Sequence, residues 1–377
     1  MFELFPGDYS RSQAVNMGLR SGLQIGEAMR AASDLAKDGS SAWDWYASWR
    51  RFAEQQVDQA EDEFAEGFVI ASGERMLRAS VGLYVAQARI PDRRHRLDAL
   101  REHWRVFDLG IERSRLGYER VSFDSPDGEL PAWWIPGSTD GSPTPALVYY
   151  PGFDLDKEMI VLTLRDSYQR RGIGVLIVDG PGIGETLWLQ QMPSRYDYEV
   201  PSRAARDYLK TRSDVVADNI GVAGISLGGY YATRSAAFEP SFVCCSAWAG
   251  TRNFGGNMRR RWDPQSQTSP EVNHQLMAVM GKDNMRDALE RVIDWNLTGQ
   301  VGGLHMPYLM VHGELDRQST LAEAKAIFRE IPAEDKTLRV FTAGEGGAEH
   351  CQIDEPIASR EYISDWTALR MGTVKPA

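Results

Sequence analysis

Apolar residues change their spacing near position 116, and that change divides the chain. Before it they recur at intervals of three and four, in Ser12–Leu19, Ile25–Leu35, Ala42–Glu63, Phe68–Gln87 and Asp92–Glu112. This period keeps one face of a helix apolar, so five helices are predicted, with Ser40 or Ser41 available to cap the third. Trp45, Trp49 and Phe52 fall on one face of that third helix. An aromatic stripe of this kind is read first as core and second as the wall of a substrate pocket.

Beyond 116 the apolar positions gather into short runs. Tyr118–Phe123 and Leu130–Ile135 flank Ser125-Pro126-Asp127-Gly128, a turn signal between two strands. Further strands are predicted at Ala146–Tyr150, Gly174–Asp179, Asn219–Ala223, Phe242–Trp248, Tyr308–Gly313 and Leu338–Phe341, with helical stretches between them, one around Met159 to Gln169. Alternating strands and helices imply an α/β fold with a mainly parallel, twisted sheet and helices on both faces. Residues 251–300 interrupt the alternation as a helical insertion, with patterns at Val272–Met280 and Met285–Trp295. The expected organisation is an all-helical N-terminal cap or lid domain over 1–116 and an α/β catalytic domain over 117–377.

Chemistry enters at Gly224-Ile225-Ser226-Leu227-Gly228. A serine between two glycines, after an apolar run and before a helix-like stretch, reads as a nucleophile elbow. The tight turn lifts its Oγ clear of the sheet. In such a site the acid and the histidine follow the serine along the chain. Of six histidines, His95 and His103 precede it in a charged helical region and read as solvated helix faces. His274 lies in a polar helical stretch, His305 just before a strand, and His312 inside one, where a packed histidine is expected. His350 remains, in a glycine-rich loop that can deliver an imidazole to a neighbouring strand's tip.

Catalytic groups on open α/β sheets gather at the carboxyl ends of strands. Asp316 stands beyond the Tyr308–Gly313 run, with Glu314 two residues earlier as its competitor and helix capping as its alternative role. Asp316 is favoured because the extra residues carry it past the strand end. The Leu227 N–H, just after the serine, is one expected oxyanion donor, and the Phe153 N–H in Pro151-Gly152-Phe153-Asp154 is the other. Asp154 reads as a turn or capping aspartate. Gly180-Pro181-Gly182-Ile183-Gly184 lacks the spacing of a dinucleotide fingerprint, so no nucleotide site is expected there. Arg259-Arg260-Arg261 reads as a solvated face or linker ahead of an anion clamp.

Composition removes other classes. The formal charge of −11 over 377 residues opposes nonspecific nucleic-acid binding, which needs a basic surface. No apolar run reaches the ~18 residues of a membrane span, and Met1–Pro6 lacks the pattern of a signal peptide. Three cysteines cannot all pair internally, and no zinc-type Cys/His spacing occurs. A cytoplasmic enzyme without metal or cofactor is expected, acting on a small molecule, with no nucleic-acid or membrane partner.

The Ser226 elbow, Asp316 after His312-Gly313, and Gly347-Ala348-Glu349-His350-Cys351-Gln352 resemble the α/β-hydrolase superfamily. With the helical N-terminal region and Tyr150-Pro151-Gly152, the closer resemblance is to the group of 2,6-dihydroxypseudooxynicotine hydrolase and the fungal polyketide-shortening hydrolases of the yellowish-green pigment type. It is also similar to esterases related to the fermentation-respiration switch protein. Where many hydrolases carry His-Gly, this chain carries Pro-Gly. The resemblance implies a cofactor-free serine hydrolase, often a homodimer, with its site between cap and core. Substrates of the group include aryl ketones cleaved at a carbon–carbon bond as well as esters.

The carbon–carbon hydrolases of the group use a further acid beyond the triad, and Ala249–Asn257 contains no carboxylate. An alkoxide leaving group can be protonated by the histidine alone. The expected function is therefore cleavage of an ester or related acyl bond of a bulky, aromatic molecule through an acyl-enzyme. Carbon–carbon hydrolysis and a biosynthetic cyclase or acyltransferase are the alternatives, and a peptidase is weaker because no propeller-like repeat precedes the catalytic region.

Overall fold

The computed structural model describes residues 1–35, 40–262 and 270–375. The helical periods become α1 (Tyr9–Arg20), α2 (Ile25–Ala31), α3 (Ala42–Ala65), α4 (Val69–Gln87) and α5 (Arg93–Ser114). α1, α3 and α5 start on polar caps, α3 at Ser41 as expected. Asp8 accepts from the Arg11 N–H, Asp92 from the His95 N–H, and Ser41 exchanges hydrogen bonds with Asp44 in a capping box.

The chain divides into two compact units, one of Met1–Tyr118 with a short stretch ending at His274, the other the remainder from Glu119 onward. In the first unit, Ala53, Ala60, Met76, Ala79, Leu83 and Val106 form a core cluster. Trp45, Trp49 and Phe52 are buried there too, and Trp45 Nε1–H donates to the Val85 carbonyl at 2.9 Å. The aromatic stripe is core. The reading of His103 as a solvated residue is corrected: its side chain is buried on α5 and lies 2.8 Å through Nδ1 from the Ser80 carbonyl. His103 belongs to the apolar stripe of Ala99, Leu100 and Phe107, so its position on the helix outweighs its charged neighbours. His95, by contrast, is exposed and paired with Asp92.

The second unit is an eight-stranded sheet in the order β1-β2-β4-β3-β5-β6-β7-β8. Its strands are β1 (Glu119–Ser125), β2 (Gly128–Ile135), β3 (Thr144–Tyr150), β4 (Gly174–Val178), β5 (Val215–Ile225), β6 (Cys245–Trp248), β7 (Tyr308–Gly313) and β8 (Lys336–Phe341). β1 and β2 form an antiparallel hairpin at one edge, with β2 antiparallel to β4, and all other pairings are parallel. Every residue of β4, β6 and β7 is buried, as a parallel sheet covered on both faces requires.

The helices that follow β3 along the chain are α6 (Lys157–Leu164), α7 (Gly184–Trp188), α8 (Glu199–Thr211), α9 (Leu227–Phe238), α10 (Phe254–Arg261), α11 (Pro270–Met280), α12 (Met285–Arg291), α13 (Leu321–Glu330) and α14 (Pro356–Met371). α8 falls where the apolar pattern predicts no element. Its buried face carries Pro201, Ala205 and Leu209 at intervals of four, with Ser202 beside them, and the proline is tolerated in the first turn. β6 begins at Cys245, three residues inside the predicted run, whereas β5 begins four residues before it. The stretch 263–269 of the predicted insertion lies outside the described residues. No helix among the described residues is long and apolar enough to cross a membrane.

Candidate active site

β5 ends at Ile225 and α9 begins at Leu227, leaving Ser226 alone on the turn with φ 57° and ψ −118°. A non-glycine residue in that region stores on the order of 1–3 kcal/mol of strain, which the surroundings must hold. They do so by packing. A β-carbon on Gly224 would stand 2.1 Å from the Gly228 carbonyl oxygen, and one on Gly228 would stand 2.1 Å from that of Tyr150. The elbow glycines are thus required by close backbone approach, and the Ser226 N–H donates to the Trp248 carbonyl at 2.8 Å.

Ser226 Oγ lies 2.8 Å from His350 Nε2, and His350 Nδ1 lies 2.7 Å from Asp316 Oδ2. A carboxylate only accepts, so Nδ1 carries the ring proton and Nε2 is left to accept from the serine hydroxyl. Asp316 is anchored through its other oxygen, which accepts from the Gln318 N–H at 2.8 Å and the Ser319 N–H at 2.9 Å. The cap of α13 is Thr320, not Asp316. Glu314 is exposed and accepts from the Ala343 N–H at 3.1 Å, away from the histidine.

The two loops meet because Gly313 has no side chain: a β-carbon there would stand 2.2 Å from the Ala348 carbonyl oxygen. The histidine loop then turns sharply through Cys351 at φ 55° and Gln352 at φ 46°. Trp248 Nε1–H donates to Gln352 Oε1 at 2.6 Å, tying this turn to the end of β6. His312, inside β7, is buried and donates through Nε2 to the Ser319 carbonyl at 2.7 Å. Burial holds its pKa below the usual histidine range despite Asp316 nearby. His305 is exposed and His274 lies on α11.

Electrostatics between Asp316 and His350 oppose burial. Desolvation works against both charged forms, yet mutual attraction keeps the Asp316 carboxyl below, and the His350 imidazole above, their ordinary values.

The Leu227 N–H opens α9 and has no acceptor within its own helix, so it projects at the helix's positive end. Gly152 packs against the serine, and Phe153 follows it in the turn between β3 and α6. The Phe153 carbonyl accepts from Gln275 Nε2 at 2.9 Å, and its ring meets Phe254 at a centroid distance of 5.5 Å. Asp154 lies in the turn, and the helix cap is Asp156, which accepts from the Met159 N–H at 3.0 Å. Arg259 donates to the Leu289 carbonyl at 3.3 Å and is exposed, as is Arg260. They form a solvated face.

The glycine-rich turn after β4 does another job. A β-carbon on Gly184 would stand 2.0 Å from Asp179 Oδ2, so the glycine makes room for a buried carboxylate, not for a phosphate. Nothing in the sequence pattern had drawn attention to Asp179 or to its partner Lys157.

Residues 165–365 match the prolyl oligopeptidase family. The 2,6-dihydropseudooxynicotine hydrolase of Paenarthrobacter nicotinovorans is 25% identical over 88% of this chain and 86% of its own length. The alpha/beta hydrolase gkaG of Penicillium citrinum is 28% identical over 62% of this chain, which spans 56% of that protein. The crystal structure of the 2,6-dihydroxy-pseudo-oxynicotine hydrolase superposes with a TM-score of 0.80 at 23% identity, covering 96% of this chain and 98% of that one. AbyA5 superposes with a TM-score of 0.71 at 20% identity, covering 94% and 91%. These likenesses show an α/β-hydrolase fold.

Proposed function

The chain belongs to the prolyl oligopeptidase family of α/β-hydrolases, and from that premise we propose a serine hydrolase that cleaves an ester or related acyl bond of a bulky, aromatic small molecule. The observation that carries this reading is the unbroken line from Ser226 Oγ to His350 at 2.8 Å and on to Asp316 at 2.7 Å. Ser226 attacks the carbonyl carbon while His350 Nε2 takes its proton and Asp316 stabilises the imidazolium. The N–H groups of Leu227 and Phe153 receive the negative charge of the tetrahedral oxygen. Nε2 then returns the proton to the departing alkoxide, and water repeats the sequence in reverse to release the acid.

The segment after β6 supports the acyl-bond reading over carbon–carbon cleavage, since Ala249–Asn257 offers no carboxylate to protonate a carbanion. Within that segment Asn257 Nδ2 donates to Thr251 Oγ1 at 2.9 Å. Similarity to the Paenarthrobacter hydrolase over 88% of the chain favours the second reading, an aryl ketone or polyketide substrate. Our proposal takes the enzyme as a cytoplasmic homodimer, and sedimentation tests the assembly.

A fluorophosphonate is expected to label Ser226 stoichiometrically, with labelling and hydrolysis of p-nitrophenyl esters both abolished in Ser226→Ala. Label on another serine, or an active Ser226→Ala enzyme, overturns the assignment. Product analysis on aryl ketones, acceptor alcohols and a prolyl peptide amide separates the carbon–carbon, acyltransferase and peptidase alternatives.

A further inference from the structure

Beside the proposed site lies a buried charge cluster to which the mechanism above gives no role. Lys157 Nζ is fully buried, 3.0 Å from Asp179 Oδ2, 2.6 Å from Glu185 Oε1 and 2.8 Å from Glu158 Oε1. Asp179 also accepts from the Lys157 backbone N–H at 2.9 Å and from the Glu185 N–H at 2.9 Å. Arg120 reaches in from β1 to pair with Glu185 at 2.7 Å. One aspartate at the end of β4 thus grips both the ammonium and the main chain of the first residue of α6.

Buried ion pairs add little net stability, because desolvation offsets the attraction. Three carboxylates around one lysine therefore need another reason to be there, and their position offers one. Gly152 lies against Ser226, with its would-be β-carbon 3.1 Å from the serine Cβ, and Lys157 is clamped to Asp179. Only residues 153–156 run between those two fixed points, and Phe153 is the first of them. The Leu155 N–H donates back to the Gly152 carbonyl, and Asp156 caps α6, so the short span is closed internally as well.

We propose that the Lys157–Asp179 clamp holds the Phe153 N–H in place as an oxyanion donor, which makes Lys157 and Asp179 positioning residues for acyl transfer. The inference rests on the serine-hydrolase reading above. Three carboxylates share one ammonium, and burial pushes the Glu158 carboxyl up to about 8.

The test compares wild type with Asp179→Glu, Lys157→Met and Lys157→Arg, each first checked for a cooperative melt. The readouts are the second-order rate of fluorophosphonate labelling at Ser226, kcat and KM on a p-nitrophenyl ester, and the pH profile. Asp179→Glu keeps the charge but lengthens the arm by one methylene, and it is expected to lower labelling and kcat about tenfold or more. KM stays within about threefold, and the pH profile stays in place because His350 and Asp316 are untouched. Lys157→Met loses more and Lys157→Arg recovers part of the rate. If Lys157→Met does not fold, Asp179→Glu decides. A folded Asp179→Glu protein that labels as fast as wild type overturns the clamp while leaving the serine reading intact. A wild-type protein that takes no label at Ser226 overturns both.

Discussion

Gly152 lies so close to Ser226 that a β-carbon on the glycine would stand 3.1 Å from the serine Cβ and 3.1 Å from the Ile225 carbonyl oxygen. The same atom would be 3.7 Å from the serine Oγ. Contacts of that length are tight but relieved by shifts of a few tenths of an ångström. Gly152→Ala is therefore expected to fold, with its melting temperature lowered by only a few degrees. On the proposed mechanism its kcat should fall on the order of ten- to a hundredfold, because the shift is absorbed between Ser226 and the Phe153 N–H proposed as oxyanion donor. Steady-state kinetics beside a thermal melt decide the matter, and unchanged kcat would remove Gly152 from the site.

Two carboxylates compete for the role of acid on the same loop, and geometry separates them. Asp316 is buried with one oxygen on His350 and the other on two backbone N–H groups. Glu314 faces solvent. Asp316→Asn should lower kcat by about four orders of magnitude through loss of the correct histidine tautomer. Glu314→Gln should stay within about twofold of wild type. A dead Glu314→Gln enzyme beside an active Asp316→Asn enzyme reverses the roles.

What could be read from residues alone follows how local each signal is. The elbow is encoded in five consecutive residues, and its strand and helix adjoin it, so Ser226 was visible at once. Asp316 and His350 were reachable because both follow strand-like runs, and the close approach of Gly313 to Ala348 explains how their loops meet. α8 was passed over although Pro201, Ala205 and Leu209 recur at intervals of four, because a proline and an alanine are weak apolar markers and proline argues against a helix interior. His103 was misread although the signal was present, three and four residues from Leu100, Ala99 and Phe107 on one stripe. The clamp was illegible for a different reason. Lys157 and Asp179 stand 22 positions apart, and only the parallel pairing of β3 with β4 brings the ends of those strands together.

The helical unit offers a stability test with an internal control. Trp45 and Trp49 are both fully buried on α3, 5.5 Å apart between ring centroids. Trp45 Nε1–H donates to the Val85 carbonyl, while Trp49 Nε1 has no hydrogen-bond partner among the described residues. Replacement of either by alanine is expected to cost about 3–5 kcal/mol through the cavity left behind. Phenylalanine separates them. Trp45→Phe loses a hydrogen bond as well as volume, so it should be less stable than Trp49→Phe by about 1 kcal/mol in denaturant melts. Equal losses would mean the Val85 contact contributes nothing.

Protonation of His350 sets activity and stability against one another, and the signs can be worked out separately. Burial disfavours the imidazolium, but the Asp316 carboxylate and Cys351 outweigh it, so the folded pKa lies above the ordinary value of about 6.5. A general base must be neutral, so kcat/KM should rise with pH along a limb whose midpoint lies above 6.5. Asp316→Asn removes the attracting charge, and in whatever activity survives the limb should move down. For stability the direction is opposite. A histidine whose pKa is raised on folding contributes stability that is complete below its unfolded value and is lost as pH rises through the folded one. Asp316, held below its usual range, contributes above its unfolded value and loses that contribution as pH falls through the folded one. The imidazolium–carboxylate pair therefore stabilises the fold most in the window between those two titrations. The gap in melting temperature between wild type and Asp316→Asn should narrow towards the alkaline end of that window, where activity is highest. A kinetic limb at or below 6.5 in the wild type would show that Asp316 does not hold the imidazolium, and the triad would lose its electrostatic basis.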